Sequence, residues 1–535
     1  MTEDAPPEAM RIGRARLTAG LDRYARIDLA THQQIFGPMR RVTARQLLDM
    51  VDRVDLRGRG GAGFPFGTKL RTVMDRAGAR KCKSVVLVNG TEGEPGSAKD
   101  KMLLLRSPYL VLGGALLAAR ALGAKQLVVG VTAGGRVAKS VRAAVRAEPD
   151  LKKFARVVEV PERFVSGEGG ALVNAVNGKL ALPPGHKRRA AESGVGGLPT
   201  LLSNAETFAQ LAVLAMLGPD GYASDGMSQE PGTVLLTVGG AAGRPAVVEV
   251  PTGIPLGTVL DVCEATAREG VLIGGYHGMW LPGAVADGVP VSRTAVEAVG
   301  GTLGAGVVAT LDPRTCPLGE VARIVRYLAK ESSGQCGPCK LGLPGIARSV
   351  TALADGTGGI DTLDMARRAA SVVRGRGACS HPDGVSRFVL SALEVFSDDL
   401  TTHLFQSSCG RPVLGVLPLP SEEDEPRLQV DWTRCRGDGL CARLVPELVE
   451  LDTQGYPVFL DTPVPFWLER EANQAVAMCP ALALRLTTAE STVPGRTARR
   501  PRPRVPLSDT RPQGLLLPSA RQFTALPPGE RNSSS

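Results

Sequence analysis

The chain is poor in aromatic residues, 4% of its 535 positions, and it has no export signal: Met1–Ala9 is acidic and lacks an apolar stretch. It also lacks a long clean hydrophobic run. The most apolar long window, 110–131, contains Arg120 and Lys125 and is broken by glycines, which is too polar for a membrane span. No internal repeat is present. Positive charge is scarce where a nucleic-acid surface would need it. Eight arginines against Asp509 and Glu530 in residues 495–535 carry most of the net charge of +10, without interleaved aromatics. That Arg- and Pro-rich tail, 488–535, is expected to be disordered, either a solvated appendage or a segment that docks on an acidic surface or membrane. These absences point to a cytoplasmic chain, in a compartment where thiols stay reduced and cysteine sets hold metal more often than disulfides.

What is plentiful is cysteine and glycine, 10 and 64 residues. Six cysteines fall into two groups: Cys336-Gly337-Pro338-Cys339 with Cys379, and Cys435 with Cys441 and the pair Cys479-Pro480. A Cys-Pro ending closes many ferredoxin-type cluster sites. Two clusters in one chain imply electron transfer rather than hydrolysis. Cys82, Cys263 and Cys409 stand apart and are expected to be unligated, and Cys316 has no obvious ligand role.

The length predicts three or four domains. Short apolar runs at 84–89, 126–131 and 156–160 read as buried strands, and 108–122, 136–146 and 201–217 as helices, an α/β pattern with a largely parallel sheet. This first unit is placed at 1–225. A strand-rich stretch at 230–290 reads as a β-grasp (ubiquitin-like) module. From 310 to 405 the period turns helical, with Val321, Ile324, Val325 and Leu328 on one stripe of a bundle. Residues 412–426 read as a Pro- and acid-rich linker, and 427–487 as a small α+β ferredoxin domain.

The strongest motif without cysteine is Arg57-Gly58-Arg59-Gly60-Gly61-Ala62-Gly63-Phe64-Pro65-Phe66-Gly67-Thr68-Lys69. Its four clustered glycines let backbone N–H groups converge on an anion, and Lys69 adds a point charge for a phosphate. It fits neither the Walker nor the Gly-x-Gly-x-x-Gly pattern. The first strand ends in Asn89-Gly90-Thr91-Glu92-Gly93-Glu94-Pro95-Gly96, and ligands of open α/β sheets sit beyond carboxyl ends of strands. Asn89, Glu92 and Glu94 are thereby placed near a ligand.

Residues 57–69, 89–100, Gly167-Glu168 and 203–207 resemble the flavin-bearing, NADH-oxidising subunit of respiratory complex I and of NAD-linked hydrogenases, and the likeness covers about 30–405. The resemblance implies FMN against the glycine loop and NADH stacked over it. Carried over, Gly58, Arg59, Gly60, Gly61, Lys69, Asn89, Glu92, Gly167, Glu168 and Asn204 match flavin-site residues, while Phe64 and Glu94 match nicotinamide-nucleotide contacts. Four departures bear on the nucleotide: Thr91 replaces an Asp, Gly169 a second Glu, Thr72 an aromatic, and His186-Lys187-Arg188-Arg189-Ala190 a stretch with a stacking aromatic. The loop Glu331-Ser332-Ser333-Gly334-Gln335-Cys336 resembles the same family's cluster loop, with Ser333 in the first cysteine's place. A hydroxyl is harder to deprotonate than a thiol by roughly seven pKa units, about 10 kcal/mol. A serine-ligated 4Fe–4S cluster, a 3Fe–4S cluster and a site with one exchangeable ligand all remain open.

Residues 427–487 resemble the single-cluster ferredoxins of actinobacteria, with Asp438 at the middle ligand position. An aspartate is already ionised at neutral pH, so a 3Fe–4S cluster convertible to an Asp-ligated 4Fe–4S cluster is expected on Cys435, Asp438, Cys441 and Cys479. The expected function is an NADH dehydrogenase that passes electrons through FMN and both clusters to a protein redox partner, membrane-bound or free, acting in the cytoplasm or at the inner face of the membrane. The alternatives are an NADH-independent relay and a non-catalytic assembly subunit.

Overall fold

The computed structural model describes residues 7–39, 41–185, 189–420, 426–459 and 463–487. The tail and 186–188 of the basic stretch lie outside them.

Four parallel strands form the first sheet, in the order Ala155–Val160, Gln126–Thr132, Val85–Gly90, Thr200–Asn204. Val85, Val86, Leu87 and Val88 are all buried, the continuous apolar run expected of a parallel strand covered on both faces. Residues 201–204 do not begin a helix, as their apolar content suggests. Thr200–Asn204 pairs in register with Val85–Asn89, and the helix Ala205–Tyr222 starts only after Asn204, whose side chain accepts from the Glu206 N–H. That helix crosses Pro108–Ala121 so closely that a Cβ on Gly114 would lie 1.9 Å from the Phe208 carbonyl oxygen.

A mixed six-stranded sheet follows, ordered Ala9–Arg11, Ala246–Pro251, Thr233–Gly240, Val307–Thr310, Val271–Ile273, Met279–Leu281. It reaches beyond 230–290 at both ends, because Ala9–Arg11 adds an edge strand and Val307–Thr310 fills a central place. Five helices, Pro317–Lys330, Leu343–Ala354, Ile360–Val373, His381–Val395 and Ser397–Gln406, pack around one core that includes the Val321, Ile324, Val325 and Leu328 stripe. The part of the linker that is described is a strap on this unit. Glu320 accepts from the N–H groups of Gly415 and Val416, and Leu417 is fully buried. The last unit has two strand pairs and the helix Glu469–Met478 around a small core.

Among the described residues no single helix is long and apolar enough to cross a membrane.

Candidate functional site

The glycine loop and the acidic strand end face each other across the carboxyl edge of the parallel sheet. Gly58 donates its N–H to the Phe64 carbonyl at 3.0 Å, closing the loop. Gly61 has φ +110°, which favours glycine, and a Cβ on Gly60 would come within 3.1 Å of the Asn204 Cβ, a tight approach. Lys69 Nζ donates to the Leu202 carbonyl at 3.3 Å and lies 5.8 Å from the Phe64 ring centroid. No carboxylate pairs with it among the described residues, and burial pulls its pKa down. Phe64 itself is half exposed.

Behind the loop is a buried ionic knot. Lys99 pairs with Asp100 at 2.9 Å and Glu206 at 3.2 Å, and donates to Asn204 Oδ1 at 3.1 Å. Glu92 is bound by the neighbouring helix. It accepts from the N–H groups of Asp100 and Lys101 at 3.1 and 2.8 Å, holding the first turn of Lys99–Arg106. Asn89 Nδ2 donates to the Gly167 carbonyl at 2.9 Å, and Thr91, in the place of an Asp, bonds Asn89 Oδ1. Glu168 caps its own helix through the Ala171 N–H. A side chain at Gly169 would have to displace Leu202, whose Cδ2 would lie 2.7 Å from the new Cβ.

Glu94 is the exception to this saturation. Its Oε2 accepts from the Tyr276 N–H at 3.1 Å, while its Oε1 is buried without a partner. Burial pushes its pKa up to about 8. The unfolded carboxyl titrates near 4.5, so the folded protein holds the proton more tightly. The resulting cost is absent below pH 4.5, grows as pH rises to 8 and is complete above it. Glu94→Gln is expected to stabilise the cofactor-free protein by roughly 3–5 kcal/mol at pH 9 and to flatten its dependence between pH 5 and 8. Thermal unfolding across that range checks this.

An orphaned carboxyl oxygen, a half-buried lysine without a carboxylate partner, an unbonded Arg59 Nε and an open glycine loop are what a phosphate- and amide-bearing ring system would satisfy. The residues present fit FMN.

The first cysteine set converges. Cys336 and Cys339 Sγ are 3.4 Å apart, and Ser333 Oγ is 3.7 Å from Cys339 Sγ, at the start of a π-helical turn, Pro338–Gly342. Cys379 lies beside them, its thiol pushed up to about 11 chiefly by burial, with Cys339, Glu168 and Cys336 adding to the rise. Cys435, Asp438, Cys441 and Cys479 line one solvent-open pocket in the last unit. Three thiols plus one oxygen donor at each place suit an iron–sulfur cluster.

Several residues at the junction gave no sequence signal. Phe164 packs against His277, Tyr327 and His381 with ring centroids 4.6, 6.1 and 5.5 Å away. Gly93 admits this turn, since its Cβ would lie 2.4 Å from the Arg163 carbonyl oxygen. Arg163 bonds Glu331 at 3.4 Å and Glu469, in the last unit, at 3.0 Å. Trp467 covers Gly334 in the first cysteine loop so tightly that a Cβ there would lie 2.4 Å from its Cδ2.

Fold and site together define a flavin-binding iron–sulfur protein. Residues 51–213 match the Nuo51 FMN-binding domain, 320–403 the NADH-ubiquinone oxidoreductase-F iron-sulfur binding region and 428–486 a 4Fe-4S single cluster domain. The chain is a homologue of the F subunits of NADH-quinone oxidoreductases. It is 28% identical over 387 residues to the one in Mycobacterium tuberculosis (strain ATCC 25618 / H37Rv), covering 68% of this chain and 85% of the relative. The HndC subunit of the NADP-reducing hydrogenase of Solidesulfovibrio fructosivorans is 25% identical over 425 residues, 76% of this chain and 84% of its own. A crystal structure of an NAD+-reducing NiFe-hydrogenase in the air-oxidized state aligns with TM-score 0.65 and 26% identity, over 74% of this chain and 68% of that one.

Proposed function

We propose that the protein is an NADH:acceptor oxidoreductase in which FMN and the helical-unit cluster link NADH to the fused ferredoxin cluster and on to a protein acceptor. Bound FMN supplies the conversion between a two-electron hydride and single electrons. The chain's own residues place it. Gly58, Arg59, Gly60 and Gly61 offer the backbone cradle, Lys69 the countercharge, and Asn89, Gly167, Glu168 and Asn204 shape the far wall, with Glu92 fixing the helix behind it. Phe64 and Glu94 flank the nicotinamide-nucleotide side, Phe64 giving a face and Glu94 a carboxyl that is protonated at neutral pH. Ser333, Cys336, Cys339 and Cys379 hold the first cluster, and Cys435, Asp438, Cys441 and Cys479 the second.

The observation that carries the route is the seat of the ferredoxin unit. Trp467 lies on Gly334, and Arg163 joins Glu331 to Glu469. A cluster domain meant for a distant partner has no need to cover this loop. The acceptor beyond it is a soluble or membrane-bound redox protein, met on the cytoplasmic side.

Anaerobic mixing of reconstituted protein with NADH tests this. Flavin absorbance should bleach within the mixing experiment and the ferredoxin-type cluster signal should follow. Bleaching by dithionite alone, with NADH inert, would favour a relay without NADH, which Gly169 and Thr72 in the place of a carboxylate and an aromatic would explain. A preparation that takes up no flavin would leave only an assembly role.

A further inference from the structure

Cys316, His403 and Cys409 belong to neither cluster set, and Cys316 is far in sequence from the other two. The fold brings them together. Cys316 caps the helix Pro317–Lys330, His403 sits in the last turn of Ser397–Gln406, and Cys409 follows that helix. Their ligand atoms all lie within 4.8 Å of one another. We propose that these three side chains form a third, mononuclear metal site of zinc type that clasps the strap onto the helical unit.

The geometry suits the ion. Bonds of about 2.3 Å to sulfur and 2.05 Å to nitrogen, at the tetrahedral angle, set an N···S edge of about 3.6 Å. Cys316 Sγ and His403 Nε2 are 3.4 Å apart. His403 is 4% exposed, and among the described residues its Nδ1 has no partner and its Nε2 meets only the Cys316 sulfur. Buried polar groups are rarely left so. Thiolate and imidazole donors favour zinc over the hard cations.

Polar groups also close on the two thiols. The Gly319 N–H, in the first turn of its helix, donates to Cys316 Sγ at 3.3 Å. Arg411 lies against Cys409 and is itself held by Asp399 and Glu269. Two thiolates and a neutral imidazole cancel a divalent charge, so the loaded site carries no net charge into the core. Water completes the four-coordinate shell. Cys316 also donates its N–H to the Pro412 carbonyl at 2.8 Å, so the clasp closes where the strap begins.

The test uses the full chain, isolated anaerobically from cells supplied with zinc and iron. About one zinc per chain is expected besides the iron, with two sulfurs and one imidazole nitrogen in its X-ray absorption spectrum. His403→Ala and Cys409→Ser should each lower zinc about tenfold or more, with FMN and iron unchanged, while Cys336→Ala, in the cluster loop, keeps it. His403→Cys guards against a folding failure and should bind zinc through three sulfurs. A zinc-free native protein, a zinc that survives His403→Ala and Cys409→Ser, or a Cys316–Cys409 disulfide in protein alkylated without air would each overturn the site. None of these readouts depends on NADH, so the reading of the flavin site stands or falls separately.

Discussion

Lys99→Met is expected to cost about 3–5 kcal/mol of stability and to yield protein without flavin. Lys99, Asp100 and Glu206 are 1%, 3% and 1% exposed, and the lysine is the cation shared by both carboxylates. Their attraction raises its pKa despite burial. Removing it leaves two buried negative groups facing each other, which must take up protons or open the structure. The defect should therefore be smallest at acid pH and worsen as pH rises. It also spreads: Glu206 accepts from the Leu235 N–H in the neighbouring sheet, and Asn204, which Lys99 holds, lies against Gly60. Thermal unfolding and the flavin-to-protein absorbance ratio check both effects. Wild-type values for both would mean the knot does not support the cradle. Lys99→Arg, which keeps the charge, should retain part of the stability.

Gly334→Leu should uncouple the two clusters while sparing the flavin. Gly334 has φ +64°, a region that costs a non-glycine residue about 1–2 kcal/mol, and its new Cβ would meet the Trp467 ring. The indole must leave. An aromatic anchor of this kind contributes roughly 2 kcal/mol or more to docking, about thirtyfold in the docked population. NADH should bleach the flavin at the native rate, while rapid-freeze EPR finds the ferredoxin-type cluster reduced roughly thirtyfold more slowly. An unchanged rate at that cluster would show that electrons do not pass through this contact.

Local pattern made some of this legible and left the rest hidden. The buried strand at 84–89, the stripe from Val321 to Leu328 and both cysteine sets carry their signal in adjacent or regularly spaced residues. Thr200–Asn204 does not: residues 201–204 before a helix read as its first turn, and only pairing with Val85–Asn89 makes them a strand. Asn204 followed by Glu206 was the available clue, since asparagine favours the N-cap. The edge strand Ala9–Arg11 pairs with residues far along the chain, and Val307–Thr310 likewise depends on distant partners. In the cleft, residue identity suggested that Glu92 reaches a ligand, but its hydrogen bonds go to the Asp100 and Lys101 backbone. Identity could not separate it from Glu94, because the two share chemistry and differ only in which backbone groups meet them. Arg163, Phe164 and Trp467 matter only through contacts between units, for which no spacing rule exists.

The strap has a further meaning for reach. Its backbone is stitched to Glu320, and its last described anchors on the bundle are the Pro418 carbonyl, which accepts from the Tyr276 hydroxyl, and Leu419, packed against the core. Seven peptide steps from Leu419 to Pro426 extend at most about 25 Å. A ferredoxin unit freed from Gly334 would therefore stay within that distance of the bundle, at a high effective concentration beside the first cysteine loop.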